Sequence, residues 1–464
     1  MQKSILTELI GSLDKKTYKY VRRWLASPIH NKREDVRALF AYYERQMGRG
    51  DLSKEAAFAA IYPDRPYDDA LMRQVMYFLQ RQIEQFLVYR HMMEDELYVG
   101  NNLLRIYRKR GLARAFKRKL GELKKRLASG RLQDRITHYR RYRVLQEEYN
   151  YQSEGVRFQD FNLQEVSDAL EQYFLAEKLR LACIMISHER VRKSAYDKGL
   201  LADALRYMDR RQWDDLPAVS LYYYAYLALT EAGGHWFDRL LTEMERQRPH
   251  LPGDELREIL LLALNFCIGK INEGQKQYYR PAFRLYRQGL SDGSFLVDGR
   301  LSRYTFINIL FAALHEGETE WVESLVRDYG PLIESRFRES TINLAYIHLN
   351  YHRRAYKKAM QLIMETVFDD LLMGLSAKTI LAKIYFELGE EDALESFLDS
   401  FLVFLRRKEV MAYHREIYKN FVLSLRHILR LAPQDAPARR KLRARIEALD
   451  AVMEKEWLLS KLEK

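Results

Sequence analysis

A chain of 464 residues is too long for one ordinary hydrophobic core, and its 47% hydrophobic and 30% charged residues exclude an intrinsically disordered protein. With only 21 glycines and 10 prolines, it has too few turn residues for a β-sandwich or a barrel. Its apolar runs are too short to cross a membrane, and its first residues lack the apolar core of a signal peptide. We therefore expect an all-α, soluble and cytoplasmic protein of several domains, without membrane contact.

Residues 1–95 are expected to form an N-terminal helical domain. Asp14 is placed to cap one helix, and Asp68 is placed to open a long one. Between them, residues 31–34 have the spacing of a capping box, in which Asn31 and Glu34 would bond each other's backbone. Apolar residues then recur every third or fourth position along residues 71–87, which is the pattern of a helix packed against a core.

The next segment, residues 96–162, is helical by the same pattern and is strongly basic. Residues 101–150 contain 16 Lys and Arg against 4 Asp and Glu, a surplus of +12 in a chain whose net charge is +13. One interpretation is the solvated outer face of a core helix. The other is a surface that binds anions or nucleic acid, with interleaved Tyr and Arg near residue 140 stacking on bases. The candidate contacts are Arg108, Arg110, Arg114, Lys117, Arg118, Lys124, Lys125, Arg140, Arg141 and Arg143.

Residues 163–435 form a succession of predicted helix pairs that break at Gly or Asn. The clearest turn residues are Gly317, Asn350 and Gly389, at steps of 33 and 39 positions. A small or β-branched residue follows each turn, where the second helix is expected to pack closely: Val322, Ala355 and Ala393. Repeats of this length without strand signals predict an α-solenoid. Residues 436–464 are expected to form a C-terminal helix that caps it.

Two resemblances support this organisation. The segment NLAYIHLN (residues 343–350), with Ala355 and Ala359 after it, resembles a tetratricopeptide repeat, and ILAKIYFELG (residues 380–389) is similar. Over most of its length the chain also resembles a family of uncharacterised bacterial helical-repeat proteins. The segments that carry this likeness are WLASPIHNK (residues 24–32), NFCIGKIN (residues 265–272) and TFIN (residues 305–308). The first resemblance implies a tetratricopeptide-like fold, and the second implies no activity.

No motif in the sequence indicates catalysis. The chain has no G-x-S-x-G elbow, Walker A loop or HExxH helix. His348 and His352 lie four residues apart without a third ligand nearby, so surface or groove histidines are expected rather than a metal site. Cys183 and Cys267 lie in apolar stretches without Cys or His neighbours, which disfavours a disulfide or a zinc cluster. We expect no enzyme and no cofactor.

The expected function is therefore that of a non-enzymatic interaction scaffold, which binds a peptide or helix of a protein partner in a solenoid groove. The alternative is association with nucleic acid through residues 105–143. Self-association is a further expectation, because residues 361–400 carry 2 basic and 9 acidic residues and complement the basic segment.

Overall fold

The computed structural model describes residues 1, 3–46, 52–154, 160–192, 195–210, 213–231, 233–407, 412–432, 435–449 and 451–463. The fold is 78% helical and almost free of strands, which confirms the expected all-α class. No helix among the described residues is long and apolar enough to cross a membrane. The chain divides into two compact units, residues 1–177 and residues 178–464.

Nine helices begin within the described part of the N-terminal unit. They are α1 (Ile5–Gly11), α2 (Lys15–Ala26), α3 (Glu34–Gln46), α4 (Lys54–Ile61), α5 (Asp69–Glu94), α6 (Glu96–Lys109), α7 (Ala113–Ser129), α8 (Arg135–Ser153) and α9 (Leu163–Arg192). Helices α1 to α5 surround one core, in which Phe40, Tyr43 and Phe58 are fully buried. A second, smaller core joins α6, α7 and α8 through Leu104, Phe116, Leu123 and Val144.

The predicted caps of the N-terminal unit are confirmed, and the predicted capping box is wrong. The Asp14 carboxylate accepts the backbone N–H of Thr17 at 2.6 Å, which satisfies a free donor at the start of α2. Asp68 caps α5 in the same way. In contrast, α3 begins at Glu34, and the Asn31 amide donates to two backbone carbonyls before the helix. Asn31 therefore shapes the turn instead of capping the helix.

The C-terminal unit contains the remaining helices of the described chain and one short hairpin. The helices are α10 (Leu201–Met208), α11 (Pro217–Thr230), α12 (His235–Gln247), α13 (Gly253–Asn272), α14 (Tyr279–Ser291), α15 (Arg303–His315), α16 (Thr319–Tyr329), α17 (Ser335–His352), α18 (Tyr356–Glu365), α19 (Leu371–Leu388), α20 (Glu391–Arg407), α21 (Ala412–Leu429), α22 (Ala436–Glu447) and α23 (Lys455–Ser460). Strands β1 (Leu296–Val297) and β2 (Arg300–Leu301) pair antiparallel.

Helices of the C-terminal unit pack in a regular order. Helix α11 contacts α12 and α13, α15 contacts α16 and α17, and α17 contacts α18 and α19. In each case the first helix of a pair touches its own second helix and the first helix of the next pair. Buried clusters fill these contacts, as between α17, α18 and α19, where Ile347, Ala359, Ile380 and Ile384 meet.

The turns that follow α15, α17 and α19 have the same hydrogen-bonded geometry. Gly317, Arg354 and Gly389 adopt positive φ angles of 77°, 57° and 73°. In each turn the N–H of this residue bonds the carbonyl three residues back, and the next N–H bonds the carbonyl five residues before itself, which is the Schellman motif. The turn residues predicted at 317 and 389 are therefore confirmed. The one predicted at Asn350 is wrong, because Asn350 lies inside α17 and the left-handed residue is Arg354.

The closely packed position lies five residues after each left-handed residue. Val322, Ala359 and Leu394 occupy this position and are fully buried. The predicted contact at Val322 is confirmed. Those at Ala355 and Ala393 are wrong, because Ala355 is half-buried before α18 and Ala393 is exposed.

The left-handed turns give a paired stability test. Gly389→Ala should lower the free energy of unfolding by about 1 kcal/mol, because a Cβ strains a left-handed residue. Arg354→Gly should raise it by up to about 1 kcal/mol, because the arginine already bears that strain. Urea denaturation of both variants measures the two changes. A loss of stability in Arg354→Gly as well would show that Arg354 is not strained.

Candidate functional site

Helix α7 separates apolar and basic side chains onto opposite faces. Phe116 and Leu123 are buried against α6 and α8, and the Phe116 ring stacks on Tyr151 at 4.1 Å between centroids. Basic residues three, four and seven positions apart share the outer face of the helix. Together with an arginine in the preceding turn they form an exposed set that we call the cationic row: Arg110, Arg114, Lys117, Arg118 and Lys125.

The cationic row is not neutralised within the described chain. Arg118 lies 3.7 Å from Glu122, with its side chain 80% exposed, and such a pair contributes little. The other four cations have no carboxylate within ion-pair distance among the described residues. From Arg114 to Lys125 the helix rises by about 16 Å, a length that several phosphates of an extended polyanion can follow.

Three of the predicted contact residues instead form ion pairs inside the N-terminal unit. Arg108 Nε lies 3.0 Å from Glu147 of α8, and the same guanidinium pairs with Glu154. Lys124 Nζ lies 2.5 Å from Glu148, again joining α7 to α8. The third, Arg140, pairs with Asp95 at the start of α6. These charges hold the three helices together.

The remaining two predicted contacts lie on α8. Arg141 is exposed, and Arg143 is half-buried. The Arg143 guanidinium donates to the Tyr139 hydroxyl at 3.2 Å and lies over the Tyr139 ring at 5.9 Å. Tyr139 in turn contacts the Tyr173 ring of α9. The aromatic and cationic side chains expected to stack on bases are thus partly engaged with each other.

The half-buried Arg108 and the exposed Arg114 can be compared directly. Burial alone would lower the pKa of Arg108, but hydrogen bonds to Glu147 and Glu154 raise it above its ordinary value. Arg108→Ala should lower the free energy of unfolding by about 2–3 kcal/mol, because it leaves the Glu147 carboxylate buried and unpaired. Arg114→Ala should change it by less than about 0.5 kcal/mol. Thermal unfolding of both variants measures the two changes. Equal losses of stability in Arg108→Ala and Arg114→Ala would contradict the internal role of Arg108.

A cleft of about 520 Å³ lies between α6 and α7. Gly100 forms part of its floor, where a Cβ would approach Leu123 to 2.6 Å, so the glycine permits the close approach of the two helices. Most charges on its rim are already paired, Lys119 with Glu122 and Arg126 with Glu96. The lining residues are Met93, Glu96, Val99, Gly100, Lys119, Glu122, Leu123, Lys125, Arg126 and Ser129. The sequence does not indicate this cleft, since its walls come from α6, α7 and the end of α5.

Of the titratable residues singled out in the sequence, His348, Cys183 and Cys267 are buried, whereas His352 is exposed as expected. A hydrogen bond of 2.9 Å joins His348 Nε2 and the Ser376 hydroxyl. Burial lowers the pKa of His348 to about 3. The expectation of a surface or groove histidine is therefore wrong for His348. Burial raises the pKa of Cys183, and it raises that of Cys267 to about 12. Among the described residues, no three His, Cys, Asp or Glu side chains are grouped to hold a metal ion.

A second exposed surface lies on the first helices of successive pairs. Tyr304 and Phe311 of α15 and Tyr346 of α17 are 52%, 37% and 36% exposed. The Phe311 ring packs edge-to-face with the His348 ring of α17, with the centroids 4.9 Å apart. The Tyr304 hydroxyl donates to Asp370 at the start of α19. Because α15 is apolar on nearly every side, periodicity alone does not indicate which of its aromatic residues face solvent.

No family model, no curated protein and no solved structure matches this chain. The resemblance to tetratricopeptide repeats and to bacterial helical-repeat proteins therefore stays a prediction, and the site rests on the geometry described above.

Proposed function

We propose that this chain is a non-enzymatic interaction scaffold that binds a helix or peptide of a protein partner. In this proposal, residues 163–435 form a tetratricopeptide-like solenoid, and the first helix of each pair contributes to a common groove. The packing of α11 on α13, of α15 on α17 and of α17 on α19 supports the arrangement, because in these pairs the first helix touches the first helix of the next pair.

The observation that carries the proposal is the exposure of three aromatic side chains on α15 and α17. Tyr304, Phe311 and Tyr346 leave between about a third and about a half of their surface in solvent, although the same helices bury or half-bury their other apolar residues. Exposed aromatic residues on a rigid helical surface are typical anchors of protein interfaces. Their contacts with His348 and Asp370 hold two of these rings in place before a partner arrives.

The test is a pull-down from native lysate, followed by binding measurements with the purified partner. Phe311→Ser combined with Tyr346→Ser should weaken binding at least about tenfold, since anchor residues dominate interface energies. A matched control removes two exposed apolar side chains elsewhere, Met364→Ser and Val367→Ser, which are 71% and 81% exposed. Equal affinity of both variants for the partner, with unchanged helical circular dichroism, would contradict the proposed groove.

A second candidate function is the binding of nucleic acid along the cationic row. The observation that favours it is the absence of intramolecular partners for Arg110, Arg114, Lys117 and Lys125 in the described chain. Binding of a duplex oligonucleotide should then fall steeply with salt. Three to five phosphate contacts predict a loss of about 40-fold to 500-fold between 50 and 200 mM salt. Peptide binding in a groove should change far less.

Charge reversal distinguishes the cationic row from general basicity. Arg114→Glu, Lys117→Glu and Arg118→Glu together should abolish the salt-dependent binding and leave the fold intact, because all three side chains are exposed. The control reverses three exposed cations of the C-terminal unit, Arg284, Lys357 and Lys358, and changes the net charge equally. Equal losses in both variants would mean that the net charge, and not the row, binds the oligonucleotide.

A further inference from the structure

The last residues of the described chain lie against helices far away in the sequence. We call residues 451–463, which include α23, the C-terminal segment. The Asn420 amide of α21 donates to the carbonyl of Ala451, and the N–H of Met453 donates to the carbonyl of Ile417. Leu458 and Leu462 are buried in the core that α19 to α22 share. The segment is thus docked by backbone bonds at its start and by two leucines at its end.

The most unusual contact of the segment is with Lys383 of α19. This lysine is only 5% exposed, and its Nζ lies 2.9 Å from the Glu454 carboxylate. Two aromatic rings flank the ammonium group, Tyr351 of α17 at 4.5 Å and Trp457 of α23 at 5.3 Å. Among the described residues, Glu454 is the one carboxylate that pairs with Lys383. Helices α17 and α19 therefore present a buried cation whose directly contacting carboxylate comes from the segment, while Glu387 of α19 interacts with it from farther away.

A buried ammonium group without a counter-charge is strongly unfavourable. When the C-terminal segment leaves, Lys383 loses both its carboxylate and one of its two flanking rings. The surface formed by Tyr351 and Lys383 is therefore complementary to an occupant that covers the ammonium group and supplies a carboxylate and an aromatic ring. The match depends on the types of side chain and not on the chain that carries them, so a helix from another protein can supply them as well as α23 does.

Further charged contacts define the rest of the pattern. The Trp457 indole donates to the Glu387 carboxylate at 3.1 Å, and Lys461 lies 2.6 Å from the same carboxylate. Lys276, which precedes α14, pairs with Glu456 at 2.6 Å. An occupant is therefore recognised by an acid, a Trp three residues later and a Lys or Arg four residues after the Trp. The spacing places the Trp and the following cation on one face of a helix.

The segment itself has the features of a replaceable ligand. Helix α23 has six residues, which is too short to be stable without the surface that it contacts. Its N-cap, Glu454, is a non-glycine residue in the left-handed region, with φ 54°, so docking strains the backbone at the residue that pairs with Lys383. A competing helix that supplies the same side chains without this strain gains an advantage.

We propose that the surface formed by Tyr351, Lys383 and Glu387 is a helix-binding site, which the C-terminal segment occupies in the free chain and an amphipathic helix of a partner protein occupies in the complex. The partner helix carries the acid, Trp and cation pattern described above. This site is formed by other residues than the exposed aromatic side chains Tyr304, Phe311 and Tyr346, so the inference does not depend on the function proposed for them. Because the segment occupies the site, the apparent Kd of the partner equals the Kd for the free site divided by the fraction of molecules in which the site is free.

The experiment uses full-length protein and a fluorescein-labelled peptide of residues 451–463 as the probe, with binding followed by anisotropy. Wild-type chain is compared with Glu454→Ala combined with Trp457→Ala, which weakens the docking of the segment. We expect this variant to bind the peptide at least about tenfold more tightly than the wild type. Adding Lys383→Met should reverse that gain. A peptide that carries Glu454→Lys and Trp457→Ala is the control and should not bind.

Equal peptide affinity of the wild type and the weakened variant, both helical by circular dichroism, would overturn the proposal. Hydrogen exchange of the wild-type chain provides a measurement that needs no variant. We expect the amides of residues 454–462 to be at least about tenfold less protected than those of α19, because the segment opens by itself. Exchange of both regions with the same protection would show that the segment leaves only on global unfolding, and would equally overturn the proposal.

Discussion

Ala359→Arg should lower the free energy of unfolding by about 3–5 kcal/mol, the largest effect we expect from a single substitution. Ala359 is fully buried between α17, α18 and α19, where it meets Ile347, Ile380 and Ile384. An arginine there overfills the contact and places a charge among apolar side chains without a partner. Urea denaturation followed by circular dichroism measures the loss. Peptide binding at the surfaces proposed on α17 and α19 should be lost as well.

The matched control is Ala202→Arg in α10, where the side chain is exposed and the same substitution should change stability by less than about 0.5 kcal/mol. The sequence pattern predicts Ala355 as the closely packed position. Because Ala355 is half-buried, the loss of stability in Ala355→Arg should lie between those of the other two variants. A melting temperature of Ala359→Arg equal to that of Ala202→Arg would contradict the packing of α18 between its neighbours.

The helix starts and the all-α class could be predicted because their signals are local. Asp14 and Asp68 each satisfy backbone donors two or three residues ahead, so the sequence around them contains all the partners. The left-handed turns were predictable only where glycine marks them. At Arg354 the packing of α17 on α18 forces the same geometry on an arginine, and nothing in the local sequence distinguishes it from Asn350.

The candidate site shows the same limit. The sequence places Arg108 and Arg114 in one basic run, yet Arg108 is an internal ion-pair residue and Arg114 is exposed. The difference arises from Glu147 and Glu154, which lie 39 and 46 residues further along the chain. Helical periodicity assigns a side chain to a face, but only the tertiary packing of α6 on α8 reveals which charges meet a partner.

Glu454→Ala should lower the free energy of unfolding by about 2–3 kcal/mol, and Lys383→Met by less than about 1 kcal/mol. The two substitutions remove the same ion pair, but they leave different groups behind. Without Glu454, the Lys383 ammonium stays buried without a carboxylate in direct contact, whereas without Lys383 the carboxylate is 31% exposed and can be hydrated. Methionine also keeps the packing against Tyr351 and Trp457 that the lysine stem provides.

The control removes an exposed pair of the same segment. Glu463 lies 3.2 Å from Arg443 with its side chain 60% exposed, so Glu463→Ala should change stability by less than about 0.5 kcal/mol. Thermal unfolding of Glu454→Ala, Lys383→Met and Glu463→Ala ranks the three losses of stability. A larger loss in Lys383→Met than in Glu454→Ala would mean that Lys383 is hydrated after the segment leaves. The surface would then have no need of an acidic occupant, and the C-terminal segment would be held mainly by its two buried leucines.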